Sequence, residues 1–184
     1  MARYIVIDNF LDDPLDIRLR GFHVPFYDKH SHPYKESLGE FPGYRSPYLH
    51  TVDTELYQEL VLKITKSLGI FANSEVDTSE CLTHYAYQYT DRKMNRILPD
   101  FHYDEPQEGY RYTFGGIIYL NPDPPRNCGT VLLIDGKKEV IHNKFNRFLL
   151  YCGNGVKHSL VRSFGRDKYN SRLVISTFTD VKRL

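Results

Sequence analysis

The 184-residue chain has no tryptophan, only three cysteines and no surplus of either charge, with 24 Lys+Arg against 23 Asp+Glu. Each shortage excludes something. Without tryptophan, any aromatic core must be built from the 15 tyrosines and 11 phenylalanines. A formal charge of +1 argues against nucleic acid or an anionic membrane as partner, because both are held through a basic excess. Cys81, Cys128 and Cys152 are odd in number, widely spaced and without a C-x-x-C pair. They read as reduced thiols of a cytosolic protein and not as a disulfide framework. No apolar run approaches the ~20 residues of a membrane span. The first residues, Met1-Ala2-Arg3-Tyr4-Ile5-Val6-Ile7-Asp8, carry no signal-peptide apolar stretch. The expectation is a cytoplasmic protein without a membrane segment.

What is present is enough for a packed core: 41% hydrophobic and 26% charged residues over a length that suits one domain. Aromatic residues favour strands, and tyrosine suits a polar cavity because its ring packs while its hydroxyl bonds. Residues 3–7 are β-prone. Asp12-Asp13-Pro14 predicts a helix start, with a carboxylate cap and proline in the first turn, over about 13–21 and ending at Gly21. Residues 22–51 hold Pro25, Pro33, Pro42, Pro47, Gly39 and Gly43, a breaker density that predicts loop and short extended pieces. Leu56, Leu60, Ile64 and Leu68 recur every fourth residue and predict an amphipathic helix over 54–68, stopped by Gly69.

From about residue 80 the period becomes two. Tyr85, Tyr87 and Tyr89 fall on one face of a predicted strand, and His84, Ala86 and Gln88 on the other. Further strand-like runs cover 111–121, 130–134, 147–152 and 172–179, and Asp135-Gly136 is a hairpin signal. The expected fold is α+β, mainly β: one domain over 1–184. Its helical and loop support spans 1–79, packed on one face of an antiparallel sandwich or barrel over 80–180, for which a double-stranded β-helix (jelly roll) is one solution.

Within that framework, His102-Tyr103-Asp104 is an H-x-D pair. In an extended segment its imidazole and carboxylate share a face. His158, 54 positions beyond Asp104, is the candidate third ligand. Two histidines and one carboxylate on one face of an octahedron form the triad of non-haem iron(II) oxygenases. Arg172 opens the last predicted strand. An arginine facing a core is costly unless it meets an anion, and its planar fork matches a carboxylate. Arg166 and Lys168, in the preceding turn, are rival anchors. His30-Ser31-His32 resembles a metal pair but sits in the breaker-rich loop without a carboxylate, and reads as solvated. Tyr44 and Arg45 read as loop residues.

The ordered set His102-x-Asp104, Thr113, Ile117-Ile118-Tyr119-Leu120-Asn121, Cys128-Gly129-Thr130, Asn146-Arg147-Phe148-Leu149-Leu150-Tyr151, His158-Ser159-Leu160-Val161 and Arg172 resembles the 2-oxoglutarate/iron(II) dioxygenase superfamily, in particular its small prolyl-hydroxylase-like branch. The resemblance implies a jelly-roll core. It also implies iron(II) on His102, Asp104 and His158, and 2-oxoglutarate held at its far carboxylate by Arg172 and Tyr119. Oxygen would then be used to hydroxylate an unactivated C–H bond, with release of succinate and carbon dioxide. Asp104 favours hydroxylation over halogenation, since the family's halogenases carry a small residue there. The chain departs from the pattern in having Val174 where a serine is frequent and Cys128-Gly129 where Gly-Gly is usual. The substrate expected is a peptide residue, such as a prolyl residue, or a small amino-acid-like molecule, with Tyr87, Tyr89 and Arg45 as candidate contacts. The alternatives are a cupin-type jelly-roll metalloenzyme without 2-oxoglutarate, or a non-catalytic jelly-roll binding module.

Overall fold

The computed structural model describes residues 3–35, 41–96 and 100–183; Met1, Ala2 and Gly39 fall outside them. A first strand, β1 (Tyr4–Asp8), leads into helix α1 (Pro14–His23). The Asp13 carboxylate accepts the Asp16 N–H at 3.0 Å, with Pro14 in the first turn, as the sequence predicts. The helix does not end at Gly21. It runs to His23, and Val24 is extended because the proline that follows it disfavours helical backbone. Gly21 instead gives room: a Cβ there would lie 2.8 Å from the Tyr87 ring. That ring is fully buried, and its hydroxyl donates to the Ile17 carbonyl at 2.7 Å.

Gly21→Ala is therefore expected to destabilise the protein. The helix-propensity gain of roughly 1 kcal/mol is outweighed by about 1–3 kcal/mol of overpacking against a hydrogen-bonded tyrosine. A urea titration should show a lower midpoint with an unchanged slope; a raised midpoint would mean that Tyr87 yields at no cost.

The breaker-rich stretch contains two short elements, β2 (Tyr44–Arg45) and α2 (Leu49–Val52). It is less solvated than its composition predicts. His32 is 1% exposed, its Nε2 bonded to the Ser46 carbonyl and its Nδ1 accepting the Tyr34 N–H. Arg45 is buried, and Tyr44 stacks on Tyr89. Helix α3 (Thr54–Ala72) passes Gly69 and stops at Asn73, which takes the left-handed conformation (φ 52°) that asparagine tolerates. Leu56, Leu60, Ile64 and Leu68 are fully buried, on the order of 2 kcal/mol of burial each.

Among the described residues the strands form two antiparallel sheets. The larger adds β3 (Cys81–Thr90), β4 (Tyr112–Tyr119), β7 (Arg147–Cys152) and β9 (Arg172–Val181) in the order β1-β7-β4-β9-β3-β2. The smaller holds β5 (Gly129–Ile134), β6 (Lys137–His142) and β8 (Lys157–Arg162) in the order β6-β5-β8. Asp135 and Gly136, both at positive φ, close the β5–β6 hairpin. Helices α1 and α3 pack on the outer face of the larger sheet, in one core with Tyr85, Tyr87, Phe114, Ile118 and Phe148. Asn146 fastens the start of the chain to this sheet: its side chain accepts the Leu11 N–H and donates to the Leu11 carbonyl. No described helix is long and apolar enough to cross a membrane.

Alternation then decides which residues face the smaller sheet. On β3 the tyrosines turn to the helices, while His84, Ala86 and Gln88 face the space between the sheets. This corrects the expectation for Tyr87 and Tyr89 as substrate contacts. Tyr87 is sealed under α1, and Tyr89 packs on Phe26 and Tyr44 on the same side of the sheet.

Candidate metal centre

The space between the sheets is a cavity of about 410 Å3. Beneath it Tyr119, Leu132, Leu149, Tyr151 and Val174 pack in one apolar cluster, of which Tyr151 reaches the cavity wall. The H-x-D segment runs along the edge of the smaller sheet. His102 and His158 exchange both backbone hydrogen bonds, at 3.2 and 3.0 Å, so that β8 holds the two imidazoles side by side, ring centres 4.4 Å apart. Asp104 is held from the larger sheet: its N–H donates to the Gly153 carbonyl at 3.1 Å, and the Gly153 N–H donates to the Thr113 carbonyl at 2.8 Å. Gly153 must be small, because a Cβ there would lie 2.9 Å from the Asp104 Cβ.

The structure brings one ligand atom from each of His102, Asp104 and His158 within 4.8 Å of one another. The imidazole orientations suit a metal. His102 Nδ1 faces the Asp100 carbonyl at 3.0 Å and His158 Nδ1 the Val156 carbonyl at 3.4 Å. Donation from Nδ1 leaves Nε2 with its lone pair free, and His158 Nε2 lies 3.6 Å from Asp104 Oδ2. Burial pushes the His158 pKa down, with His102 adding and Asp104 opposing, which favours the neutral, ligating form. The Tyr151 hydroxyl donates to Asp104 Oδ2 at 3.4 Å. Its own pKa is pushed well up by burial and by Asp104, so it stays a donor.

Arg172 enters the same cavity from β9 and is 4% exposed. Among the described residues it forms no salt bridge, and its Nε has no hydrogen-bond partner. The guanidinium lies over the Tyr119 ring, 5.5 Å from its centre. Burial lowers its pKa, but an arginine stays protonated in proteins. A cation at this depth that opens on a cavity, with the Tyr119 side chain but no carboxylate beside it among the described residues, suits an anion. The rival anchors do not reach it: neither Arg166 nor Lys168 lines the cavity, and Lys168 Nζ bonds the Phe22 carbonyl on the helix side. Tyr119 lies behind Arg172, its hydroxyl donating to Thr130 Oγ1 at 2.8 Å, and Thr130 is the residue that meets the cavity.

Thr130, Tyr151, Gln88 and Asp180 line the cavity, and the sequence assigns none of them a role in the site. Strand parity would have picked out Gln88, Tyr151 and Asp180 once the inward face was known, since Gln88 and Asp180 share it with Ala86 and Arg172 on their strands.

No protein-family model matches the chain, and no curated protein sequence matches it. Solved structures do. A prolyl hydroxylase from Trichoplax adhaerens, in complex with a hypoxia-inducible-factor degradation-domain peptide, is 16% identical, with a TM-score of 0.63 over 98% of this chain and 84% of that one. An oxidoreductase of the 2OG-Fe(II) oxygenase family from Burkholderia pseudomallei is 12% identical, with a TM-score of 0.65 over 97% and 84%. HygX from Streptomyces hygroscopicus, with nickel, 2-oxoglutarate and hygromycin B bound, is 9% identical, with a TM-score of 0.63 over 97% and 83%. The fold of this chain is accordingly the jelly-roll fold of the 2-oxoglutarate/iron(II) oxygenases.

Proposed function

We propose that the protein is a 2-oxoglutarate-dependent iron(II) dioxygenase that hydroxylates a C–H bond of a small molecule or peptide residue. The reading is carried by one juxtaposition: a His-Asp-His cluster and a buried arginine without an anion share one cavity. The donor set fits iron(II), since two imidazoles and one carboxylate leave coordination positions open. Arg172 fits a carboxylate, which its fork can grip with two parallel hydrogen bonds.

In this reading His102, Asp104 and His158 hold the metal, and the Val156 and Asp100 carbonyls orient the imidazoles. Tyr151 holds the Asp104 carboxylate by a hydrogen bond. Arg172 fixes the far carboxylate of 2-oxoglutarate, with Tyr119 and Thr130 supporting it from behind. When bound, iron and 2-oxoglutarate supply the oxidative chemistry: oxygen is split between succinate, formed with carbon dioxide, and a hydroxyl on the substrate. A peptide or small-molecule substrate suits the cavity size. The compartment proposed is the cytoplasm, where free thiols such as those of Cys81, Cys128 and Cys152 persist.

Anaerobic addition of iron(II) and then 2-oxoglutarate tests this directly. A visible metal-to-ligand charge-transfer band is expected in the wild type and absent in a folded His158→Ala variant. A folded wild-type protein that gives no such band would sink the assignment and return the cupin-type or non-catalytic alternatives.

A further inference from the structure

The dioxygenase reading leaves two charged, buried groups of the cavity without a task. Arg45 is 6% exposed, its guanidinium over the rings of Phe41 (4.4 Å) and Phe178 (5.7 Å). Its Nη2 donates to Gln88 Oε1 at 3.3 Å, and Gln88 is itself fixed through Nε2 to the Pro42 carbonyl at 2.7 Å. Its Nε has no partner. Burial pushes its pKa down to about 10, so the group is charged at neutral pH. Asp180 is 4% exposed. Its Oδ2 accepts the Gln107 N–H at 3.0 Å, and its Oδ1 has no partner. Asp180 stands two residues beyond Phe178 on the same face of β9, a step of about 7 Å. Arg45 and Asp180 therefore line the same cavity, the guanidinium 5.7 Å from the Phe178 ring and the carboxylate on the same strand face as Phe178.

The charge balance narrows what that ligand is. The two charges of iron(II) and the one of Arg172 are cancelled by Asp104 and the two carboxylates of 2-oxoglutarate. Burial, the largest influence, pushes His84 toward its neutral form; Asp180 opposes this and His50 adds to it. Glu105 is exposed at the mouth. One buried cation and one buried anion remain, each with an unfilled hydrogen-bonding atom. A ligand that satisfies both carries one carboxylate and one ammonium.

We propose that the primary substrate is a free amino acid, bound with its carboxylate on Arg45 and its ammonium at Asp180. This rests on the dioxygenase reading and sharpens it. A residue inside a polypeptide has neither charge, and its flanking chain would have to share about 410 Å3 with 2-oxoglutarate. Arg45 and Asp180 on this view select the substrate, while Arg172 holds the co-substrate at the other charged position.

The test uses the full chain loaded anaerobically with iron(II) and 2-oxoglutarate, and the charge-transfer band as reporter. Each of the twenty protein amino acids is titrated singly. At least one is expected to shift the band, and its N-acetyl and carboxamide forms to bind about thirtyfold or more weakly, the range for stranding one member of a buried charge pair. The blocked forms probe the wild type, so the result does not depend on a variant folding. Arg45→Gln and Asp180→Asn should each weaken the free amino acid by about thirtyfold or more, both leaving the iron–2-oxoglutarate band in place. If the band forms and no amino acid shifts it, or blocked forms bind as tightly as free ones, the proposal is overturned while the dioxygenase reading stands. If no band forms in the folded wild type, the dioxygenase reading falls and this proposal with it.

Discussion

Asp104→Ala is expected to lower kcat/KM by about a thousandfold or more, roughly 4 kcal/mol of transition-state stabilisation, and to remove tight iron(II) binding. Asp104 supplies the one anion among the three converging ligands, so its loss leaves a dication facing two neutral imidazoles. The same carboxylate accepts a hydrogen bond from Tyr151 and is flanked by Gly153, and neither neighbour can replace it as a ligand. Tyr151→Phe removes only the supporting donor, for which about ten- to hundredfold is the usual loss. The ordering is the test. Anaerobic iron(II) titration and 2-oxoglutarate turnover should both rank wild type, Tyr151→Phe, then Asp104→Ala. Near-wild-type metal affinity in Asp104→Ala would remove Asp104 from the coordination sphere.

The convergence of His102, Asp104 and His158 was legible in the sequence because half of it is local. A histidine and a carboxylate two apart must share a face of an extended segment, and the order of the later strands carried the resemblance that picked out His158 from the eight histidines. The antiparallel β frame and the two main helices were legible from periodicity, although both helices outran their predicted ends, and the choice of a jelly roll rested on the family resemblance. Gly21 was read as a stop signal when it is a contact site for Tyr87, a tertiary demand that propensity does not encode. The faces of β3 were harder still. Alternation separates the tyrosines from His84, Ala86 and Gln88, but it does not say which set faces the helices. Both faces of this strand are covered, so the usual rule of apolar inside and polar outside has no solvent to refer to. Arg45 and His32 were hidden for a related reason: loop composition predicts solvation, yet Phe178 and Gln88, distant in sequence, bury Arg45, and the loop's own Tyr27, Phe41 and Ser46 surround His32.

Arg172→Met is expected to move activity and stability in opposite directions. Arg172 is 4% exposed with an unpartnered Nε, a hydrogen bond to Tyr119 and no salt bridge among the described residues, so in the ligand-free protein its desolvation cost is only partly returned. Replacing buried ionic groups by apolar ones of similar volume is neutral or stabilising by about 1–4 kcal/mol. The contact with the Tyr119 ring, on the order of 1–2 kcal/mol, is lost and reduces that gain. A net gain of about 1 kcal/mol should raise the Tm of a chain of this length by roughly 2–4 °C. The same change should raise the KM for 2-oxoglutarate by about a hundredfold, since a bidentate, charge-assisted pair is replaced by a thioether. With metal and 2-oxoglutarate present at about a hundred times the wild-type Kd, the wild type gains roughly 2.7 kcal/mol from binding and the variant gains far less. The order of melting temperatures should therefore invert between the ligand-free and the loaded proteins. A variant that melts lower without ligand and keeps the wild-type KM would show that Arg172 is a structural cation. Unchanged turnover would favour a jelly-roll metalloenzyme that does without 2-oxoglutarate. An inversion of the two melting orders has one physical source, an anion that binds Arg172 and repays its burial.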